Sequence, residues 1–211
     1  MIKARSRQKL VEEIEKHIRL DENVKNAFLT IDREAFVPIE FQHLAYKLDA
    51  LPLVASQWIS SPLTVAKMTQ YLDISNIDSV LEIGCGSGYQ AAILSQLARR
   101  VFTIERIDEL LKLAKMKFKA QELDNIFARF DDGQRGWKEY APYDRILFSA
   151  TAKKIPNNIF DQLKEGGILI APIEKSSTEH IITKFHKNNG EITEIQLDKV
   201  RFVPILDGTQ K

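Results

Sequence analysis

The sequence has little cysteine and no long apolar run. Its single cysteine, Cys85, cannot form an internal disulfide, which fits a reducing compartment. No stretch approaches the roughly 18 apolar residues of a membrane-spanning helix, and the first residues lack the apolar core of a signal peptide. We therefore expect a cytoplasmic protein with no membrane partner.

An excess of either charge is also missing, since 30 Lys and Arg face 29 Asp and Glu, for a formal net charge of +1. No net field would attract nucleic acid or an anionic membrane. A predicted helix over 107–122 does carry a lysine stripe, Lys112, Lys115 and Lys119, that could face a phosphate backbone. Because no matching aromatic and basic surface occurs elsewhere, we favour a solvated helix face and expect no nucleic-acid partner.

Residues typical of metal centres are sparse. The four histidines are scattered, and the sequence has neither a Cys/His dyad nor a His-Glu-x-x-His motif. We therefore predict no metal site.

Strand and helix signals alternate from position 79 onward. This alternation predicts an α/β fold with a doubly wound, mostly parallel, seven-stranded sheet. An Asn189-Gly190 pair between apolar runs at 180–186 and 192–202 predicts an antiparallel hairpin at the sheet's C-terminal edge. The other predicted strands are 80–83, 101–104, 126–130, 145–149 and 168–171, and the predicted helices are 89–98, 107–122 and 158–163.

The 211 residues, 44% of them apolar, suffice for a single domain, 1–211. Residues 7–31 have helical spacing, whereas 34–60 lack clear periodicity. We therefore expect an N-terminal helical cap with a substrate-side loop over 1–60, and an α/β core over 61–211. Ser61 is the expected N-cap of the next helix, with Pro62 at its first position, which leaves Ser60 free for function.

The most informative segment is Ser79-Val-Leu-Glu-Ile-Gly-Cys-Gly-Ser-Gly-Tyr89, an apolar run that enters a glycine-rich turn. Gly84, Gly86 and Gly88 lack β-carbons, so the backbone can turn sharply and lie against a bulky ligand. A second apolar run ends in Glu105, 21 residues after Gly84. A carboxylate there can accept both hydroxyls of a ribose, so the pattern predicts a nucleoside held between two strand ends.

Two features favour S-adenosylmethionine over a nicotinamide or flavin dinucleotide. The dinucleotide pattern G-x-G-x-x-G needs a small residue where this chain has Tyr89. Glu82 would repel a pyrophosphate but attract the ammonium and sulfonium groups of S-adenosylmethionine. The alternative that 84–88 is only a strand-to-helix turn stays open.

The order of these motifs resembles that of the protein-L-isoaspartate O-methyltransferases, class I S-adenosylmethionine-dependent enzymes that repair damaged aspartyl and asparaginyl residues. The resemblance covers nearly the whole chain. It implies a Rossmann-like fold, S-adenosylmethionine as co-substrate without a metal, isoaspartyl proteins and peptides as partners, and a monomer. The motifs are Arg33-Glu-Ala-Phe-Val-Pro38, Ala45-Tyr46, Ile59-Ser60 with Pro62, 80–92, 101–106, Asp132-Gly133 with Gly136-Trp137, 141–146, 162–167 and 200–204.

The resemblance also implies roles for individual residues. Ser60 falls on the family's active-site serine. Ile59 and Val203 would bind the substrate peptide, which would lie between the loop around Ser60 and the strand 200–204. For Asp132 a polar turn is the alternative role. The implied cofactor-binding residues are Glu82, Gly84, Gly86, Gly88, Glu105, Asp132 and Gly133.

This chain departs from the family pattern near the expected acceptor site. The family usually reads Ile-Gly-x-Gly-Gln-Thr-Ile-Ser where this chain reads Leu53-Val-Ala-Ser-Gln-Trp-Ile-Ser60. Two glycines are lost, Trp58 replaces a threonine, and Leu48 replaces an aspartate. Trp58 and Leu48 therefore keep open a methyltransferase of the same fold that acts on a small molecule or RNA. A second alternative is a module that binds S-adenosylmethionine without catalysis.

Overall fold

A computed structural model describes residues 2–75 and 77–211. The chain begins with α1 (Ile2–Glu15) and α2 (Glu22–Thr30), followed by short 3-10 turns at Arg33–Phe36 and Ile39–Leu44. The single helical region expected over 7–31 is thus two helices that pack on each other. The break lets Asp21 exchange two hydrogen bonds with the Gln70 side chain.

A small hairpin leads into the next helix. Its strands are β1 (Leu51–Pro52) and β2 (Trp58–Ile59), and α3 (Pro62–Tyr71) follows. The Ser61 hydroxyl accepts a hydrogen bond from the Thr64 backbone N–H at 3.1 Å. The predicted cap and the predicted place of Pro62 are therefore confirmed.

The remaining elements alternate as predicted. They are β3 (Ile77–Ile83), α4 (Tyr89–Ser95), β4 (Ala98–Glu105), α5 (Asp108–Ala120), β5 (Ile126–Phe130), β6 (Tyr143–Phe148), α6 (Asn157–Phe160), β7 (Leu163–Ser176), β8 (Glu179–Asn188) and β9 (Glu191–Val200). The sheet has the order β5-β4-β3-β6-β7-β8-β9. Its strands are parallel from β5 to β7 and antiparallel from β7 to β9. The α/β class, the seven strands and the antiparallel edge are confirmed.

Both faces of the sheet are covered. Along β3, Val80 belongs to the hydrophobic core shared with the N-terminal helices, whereas Leu81 belongs to the core on the opposite face. Because successive side chains of a strand point to opposite faces, this alternation explains the continuous apolar run. No helix in residues 2–75 and 77–211 is long and apolar enough to cross a membrane.

The strand order places β3 at the centre of the parallel part. The chain passes from β3 to β4 on one side and later to β6 on the other. Ile83, the last residue of β3, pairs with Ile104 of β4 and with Phe148 of β6. Open α/β sheets bind ligands at such a switch point, outside the carboxyl ends of the strands.

Candidate functional site

A cleft opens at this switch point. Its empty volume, including the part open to solvent, is about 960 Å³. The cleft lies among four segments of the chain: the turn after β3, the β4–α5 junction, the hairpin strand β2, and the extended segment 202–206.

The glycine turn is held against β4. The N–H groups of Gly84 and Cys85 both donate to the Ile104 carbonyl, at 2.9 and 3.1 Å. Gly88 has a φ of 86° and immediately precedes α4. A β-carbon there would lie 2.6 Å from the Phe118 ring, so both the conformation and the close approach of α5 require glycine at this position.

Glu105 joins β4 to the glycine turn. One carboxylate oxygen accepts from the Gly86 N–H at 2.8 Å and the other from the Ile107 N–H at 2.9 Å. Burial raises the pKa of this carboxyl, while the backbone donors act in the opposite direction. The carboxylate lines the cleft, as expected for a ribose-binding acid.

Glu82 lies deeper, with no exposed surface. Its carboxylate accepts from the Thr103 hydroxyl at 2.6 Å and from the Ser149 hydroxyl at 2.9 Å. Burial raises its pKa to about 8, although both hydroxyl donors favour the ionised form. Sequence reasoning missed Thr103 and Ser149. The available signal was the register of the sheet, since Thr103 is the direct strand partner of Glu82.

The hairpin strand β2 brings Ile59 and Ser60 to the cleft. Since Ser61 caps α3, the Ser60 hydroxyl is not needed to start that helix. The Ile59 side chain is only 3% exposed. It packs in the hydrophobic core shared with the N-terminal helices, which we call the cap-side core. Trp58 also lines the cleft and is 52% exposed.

The opposite wall comes from the C-terminal segment. The Val203 carbonyl accepts from the Thr151 N–H at 2.8 Å, and the Ile205 N–H donates to the Thr151 carbonyl at 2.7 Å. These bonds hold 203–205 extended along the cleft. Phe202 and Leu206, which line the same wall, were not among the predicted site residues.

Asp132 and Gly133 occupy different positions relative to the cleft. Gly133 lines it, packed against Ile83, whereas Asp132 lies behind the wall. The two Asp132 oxygens accept from the backbone N–H groups of Gln134, at 3.0 Å, and Gly208, at 2.9 Å. The polar-turn alternative therefore describes the local geometry of Asp132, and a role near adenine stays a prediction.

The structure thus brings most predicted site residues together around one cleft. Gly88 and Asp132 support the wall from behind. Within the described ranges, no group of three or more His, Cys, Asp or Glu side chains is placed to hold a metal ion. The predicted residues that line the cleft are Ile59, Ser60, Glu82, Gly84, Gly86, Glu105, Gly133 and Val203.

Known proteins resemble this chain in sequence and in architecture. The family model described as "Protein-L-isoaspartate(D-aspartate) O-methyltransferase (PCMT)" matches residues 5–210. A protein-L-isoaspartate O-methyltransferase of Helicobacter pylori (strain P12) is 55% identical over 202 residues, which cover 95% of this chain and 96% of that protein. The enzyme of the same name from Dictyoglomus turgidum is 43% identical, over 94% of this chain and 90% of its own length.

Solved structures agree with the sequence relatives. One protein-L-isoaspartate O-methyltransferase superposes with a TM-score of 0.84 and 28% identity, over 94% of this chain and 65% of that longer chain. A candidate enzyme of the same name from Plasmodium falciparum, in complex with S-adenosyl-L-homocysteine, has a TM-score of 0.81 and 23% identity, over 94% of this chain and 97% of that one. At 23% identity, the likeness to this second structure shows only that the two chains share a fold.

Proposed function

The chain belongs to the protein-L-isoaspartate(D-aspartate) O-methyltransferase family, and from this membership we infer that it methylates the α-carboxyl group of L-isoaspartyl residues with S-adenosylmethionine. Its substrates are then damaged proteins and peptides. Esterification makes the carboxyl a better electrophile, so the residue can cyclise to a succinimide. Hydrolysis of the succinimide returns part of the product to the normal aspartyl backbone.

The burial of Glu82 is the observation that best supports S-adenosylmethionine as the methyl donor. It is fully buried, and its hydrogen-bond donors, Thr103 and Ser149, are both neutral hydroxyls. A cation that enters the cleft would stabilise the ionised carboxylate. The ammonium and sulfonium groups of S-adenosylmethionine have the required charge. Open space beside Gly86 leaves room for the ligand against the backbone.

Bound S-adenosylmethionine supplies a methyl group activated by its sulfonium. The acceptor carboxylate, with an ordinary pKa near ~4, is already ionised at neutral pH, so the chain needs no strong general base. The residues instead hold the acceptor oxygen in line and keep water out, a contribution of up to roughly 7–11 kcal/mol. In our proposal the Ser60 hydroxyl donates to the acceptor carboxylate. Ile59, through its backbone, and Val203 hold the peptide from the two walls.

The test is transfer of labelled methyl from S-adenosylmethionine to a peptide that contains L-isoaspartate, with the same peptide containing normal aspartate as control. We expect selective labelling of the isoaspartyl peptide. Absence of labelling in both peptides, with S-adenosylhomocysteine still bound, would contradict the proposed acceptor. It would favour another acceptor, the alternative that Trp58 and Leu48 keep open, or a binding module without catalysis.

The role of Ser60 is tested with its neighbour as a matched control. Ser60→Ala should lower turnover more than it lowers affinity for S-adenosylmethionine. Ser61→Ala removes the N-cap of α3, so it should cost about 1 kcal/mol of stability and leave turnover per folded molecule unchanged. Equal losses of turnover and cofactor affinity in Ser60→Ala would contradict the assignment.

We also propose that the protein acts as a cytoplasmic monomer without a nucleic-acid partner. The near balance of its charges supports the last point. Its helical cap, residues 1–60, and its core, 61–211, are proposed to form one cooperative unit, because α1 and α2 bury Leu10, Val24 and Phe28 in the core shared with Val80. Sedimentation velocity at several concentrations checks the monomer, and a single unfolding transition checks the unit.

A further inference from the structure

Arg33 is a fully buried cation that the proposed reaction does not use. Its side chain is 0% exposed, and its Nε and Nη1 atoms have no hydrogen-bond partner among residues 2–75 and 77–211. Nη2 donates to the Asp49 carbonyl over a long distance, 3.4 Å. The guanidinium lies over the Tyr89 ring, 5.0 Å from its centroid. The adjacent acid, Asp32, is paired with Lys3 instead.

This arrangement does not favour folding. Burial lowers the pKa of Arg33 to about 10, so the guanidinium is still charged at neutral pH. Removing a charge from water without a carboxylate partner is costly, and stacking on an aromatic ring compensates only part of that cost. An apolar side chain of similar length would fill the same space without the penalty. The charge therefore has a use other than stability.

The contacts of Arg33 join the two sides of the cleft. On the cofactor side, Tyr89 is the first residue of α4, follows Gly88 and lines the cleft. Its ring is also packed against Phe28 and Phe36. These contacts hold the Tyr89 ring in a fixed position. On the acceptor side, Asp49 lies two residues before β1, the strand that pairs with β2.

We propose that Arg33 is a positioning residue that sets the distance between the glycine turn and the hairpin carrying Ser60. It does so through its stacking on Tyr89 and its hydrogen bond to Asp49. The inference rests on the proposed function, because the two walls that it aligns hold the methyl donor and the acceptor. A displacement of about 1 Å between reacting groups can cost up to roughly a hundredfold in rate.

The decisive variant is Arg33→Met, which keeps an unbranched apolar stem and removes the charge and the planar group. We expect kcat to fall roughly ten- to hundredfold, while the thermal midpoint is unchanged or higher and the affinity for S-adenosylhomocysteine changes little. A merely structural arginine gives the opposite pattern. A lower thermal midpoint with unchanged kcat per folded molecule would overturn the proposal.

Lys117 of α5 provides a matched control, because it contacts the 3-10 turn that carries Arg33. Its ammonium donates to the Phe36 carbonyl at 2.8 Å, so it anchors the turn to α5 without using the Tyr89 or Asp49 contacts. Lys117→Met should keep the wild-type kcat. A loss as large as that of Arg33→Met would assign the effect to general loosening of the cap and overturn the role of Arg33.

A double variant tests the path through Tyr89. Tyr89→Leu should lower kcat, and Arg33→Met combined with Tyr89→Leu should lose no more than the worse single variant, because the same contact is removed only once. Fully additive losses would overturn the proposal. The wild-type rate on the isoaspartyl peptide tests the proposed function separately. The Arg33 comparison uses whichever acceptor the wild-type chain methylates, so the two failures are distinguishable.

Discussion

At the scale of single residues, the ionisation of Glu82 should couple ligand binding to the release of a proton. Its pKa of about 8 means that the carboxyl is mostly protonated at neutral pH in the ligand-free protein. A cationic ligand favours the carboxylate and lowers this pKa, so binding at neutral pH should release close to one proton. Affinity should accordingly rise as the pH increases toward 8. Calorimetry of S-adenosylmethionine binding in buffers of different ionisation enthalpy measures the released proton.

Glu82→Gln is the control for this prediction. The amide keeps the shape of the side chain and cannot titrate, so the proton release and the rise in affinity should both be lost. S-adenosylhomocysteine keeps the ammonium but lacks the sulfonium charge, and comparison of the two ligands shows which cation Glu82 senses. Equal proton release in the wild type and in Glu82→Gln would assign the effect to another group.

Trp58 is the residue with the clearest expected effect on acceptor choice. Along an extended strand it shares a face with Ser60, with Ile59 pointing to the other side. Its indole is half-exposed at the cleft, so it should contact the residue next to the isoaspartate. We expect an apolar neighbour in the peptide to raise kcat/KM by roughly five- to thirtyfold, about 1–2 kcal/mol, over an acidic one. Trp58→Thr should abolish this preference.

Leu48 serves as the control for Trp58. It is the other departure near the acceptor side, but it packs against the cap-side core instead of lining the cleft. Leu48→Asp should therefore leave the peptide preference unchanged. A wild-type protein that methylates both peptides equally well would show that Trp58 does not contact the acceptor.

At the scale of elements, the acceptor-side hairpin has an unfavourable turn. Ala55 and Ser56 both adopt positive φ, 54° and 55°, between a Leu53–Gln57 pair joined by a 2.8 Å hydrogen bond. Residues with a β-carbon are strained in this region, whereas glycine is not. Ser56→Gly should therefore stabilise the protein by about 0.5–1 kcal/mol in chemical denaturation. Ser56→Ala keeps the β-carbon and should give no gain.

The same turn explains why sequence reasoning missed β1 and β2. The predicted hairpin at Asn189-Gly190 has residues that favour positive φ, and the structure confirms it. Ala55 and Ser56 carry no such signal. The break between α1 and α2 was also missed, because it depends on the tertiary contact between Asp21 and Gln70.

Some features of the candidate site could likewise be predicted from the sequence, and others could not. The placement of Glu82 and Glu105 at the cleft could be predicted from local patterns, because Glu82 lies in the apolar run that enters the glycine-rich turn and Glu105 ends the next apolar run. The hydroxyls that hold Glu82 depend on strand register, and the Arg33–Tyr89 contact joins segments that are distant in sequence. Contacts of this kind become visible only when the fold is known.

At the scale of the whole molecule, the C-terminal residues 207–211 bind loops that support the cleft without lining it themselves. The Gln210 N–H donates to the Arg106 carbonyl at 2.7 Å, and the Gln210 carbonyl accepts from the Asp108 N–H at 3.0 Å. The Gly208 N–H donates to Asp132 at 2.9 Å. The Gln210 bonds fix the loop that follows Glu105, so the last residues support the carboxylate that is proposed to bind the ligand and that they do not themselves contact.

Removal of residues 207–211 should therefore weaken cofactor binding more than it weakens the fold. The three hydrogen bonds above are lost, together with those that the Arg106 and Gln134 side chains donate to Asp207 and Gly208. Each contributes about 0.5–1.5 kcal/mol, only part of which acts on the ligand site, so we expect roughly a tenfold lower affinity for S-adenosylhomocysteine in calorimetry. Removal of Lys211 alone keeps all three bonds and should bind as the wild type does. Wild-type affinity after removal of 207–211 would show that the segment does not support the site.

Asp132→Ala then separates two roles for Asp132. If this carboxylate acts only by anchoring Gly208, the substitution should lower affinity less than the truncation, which also removes the Gln210 bonds. The combination should then lose no more than the truncation alone, because the Gly208 bond is removed only once. If Asp132 also contacts the bound adenosine, Asp132→Ala should lower affinity further in the truncated chain. The geometry favours the first outcome, since both Asp132 oxygens already accept backbone hydrogen bonds.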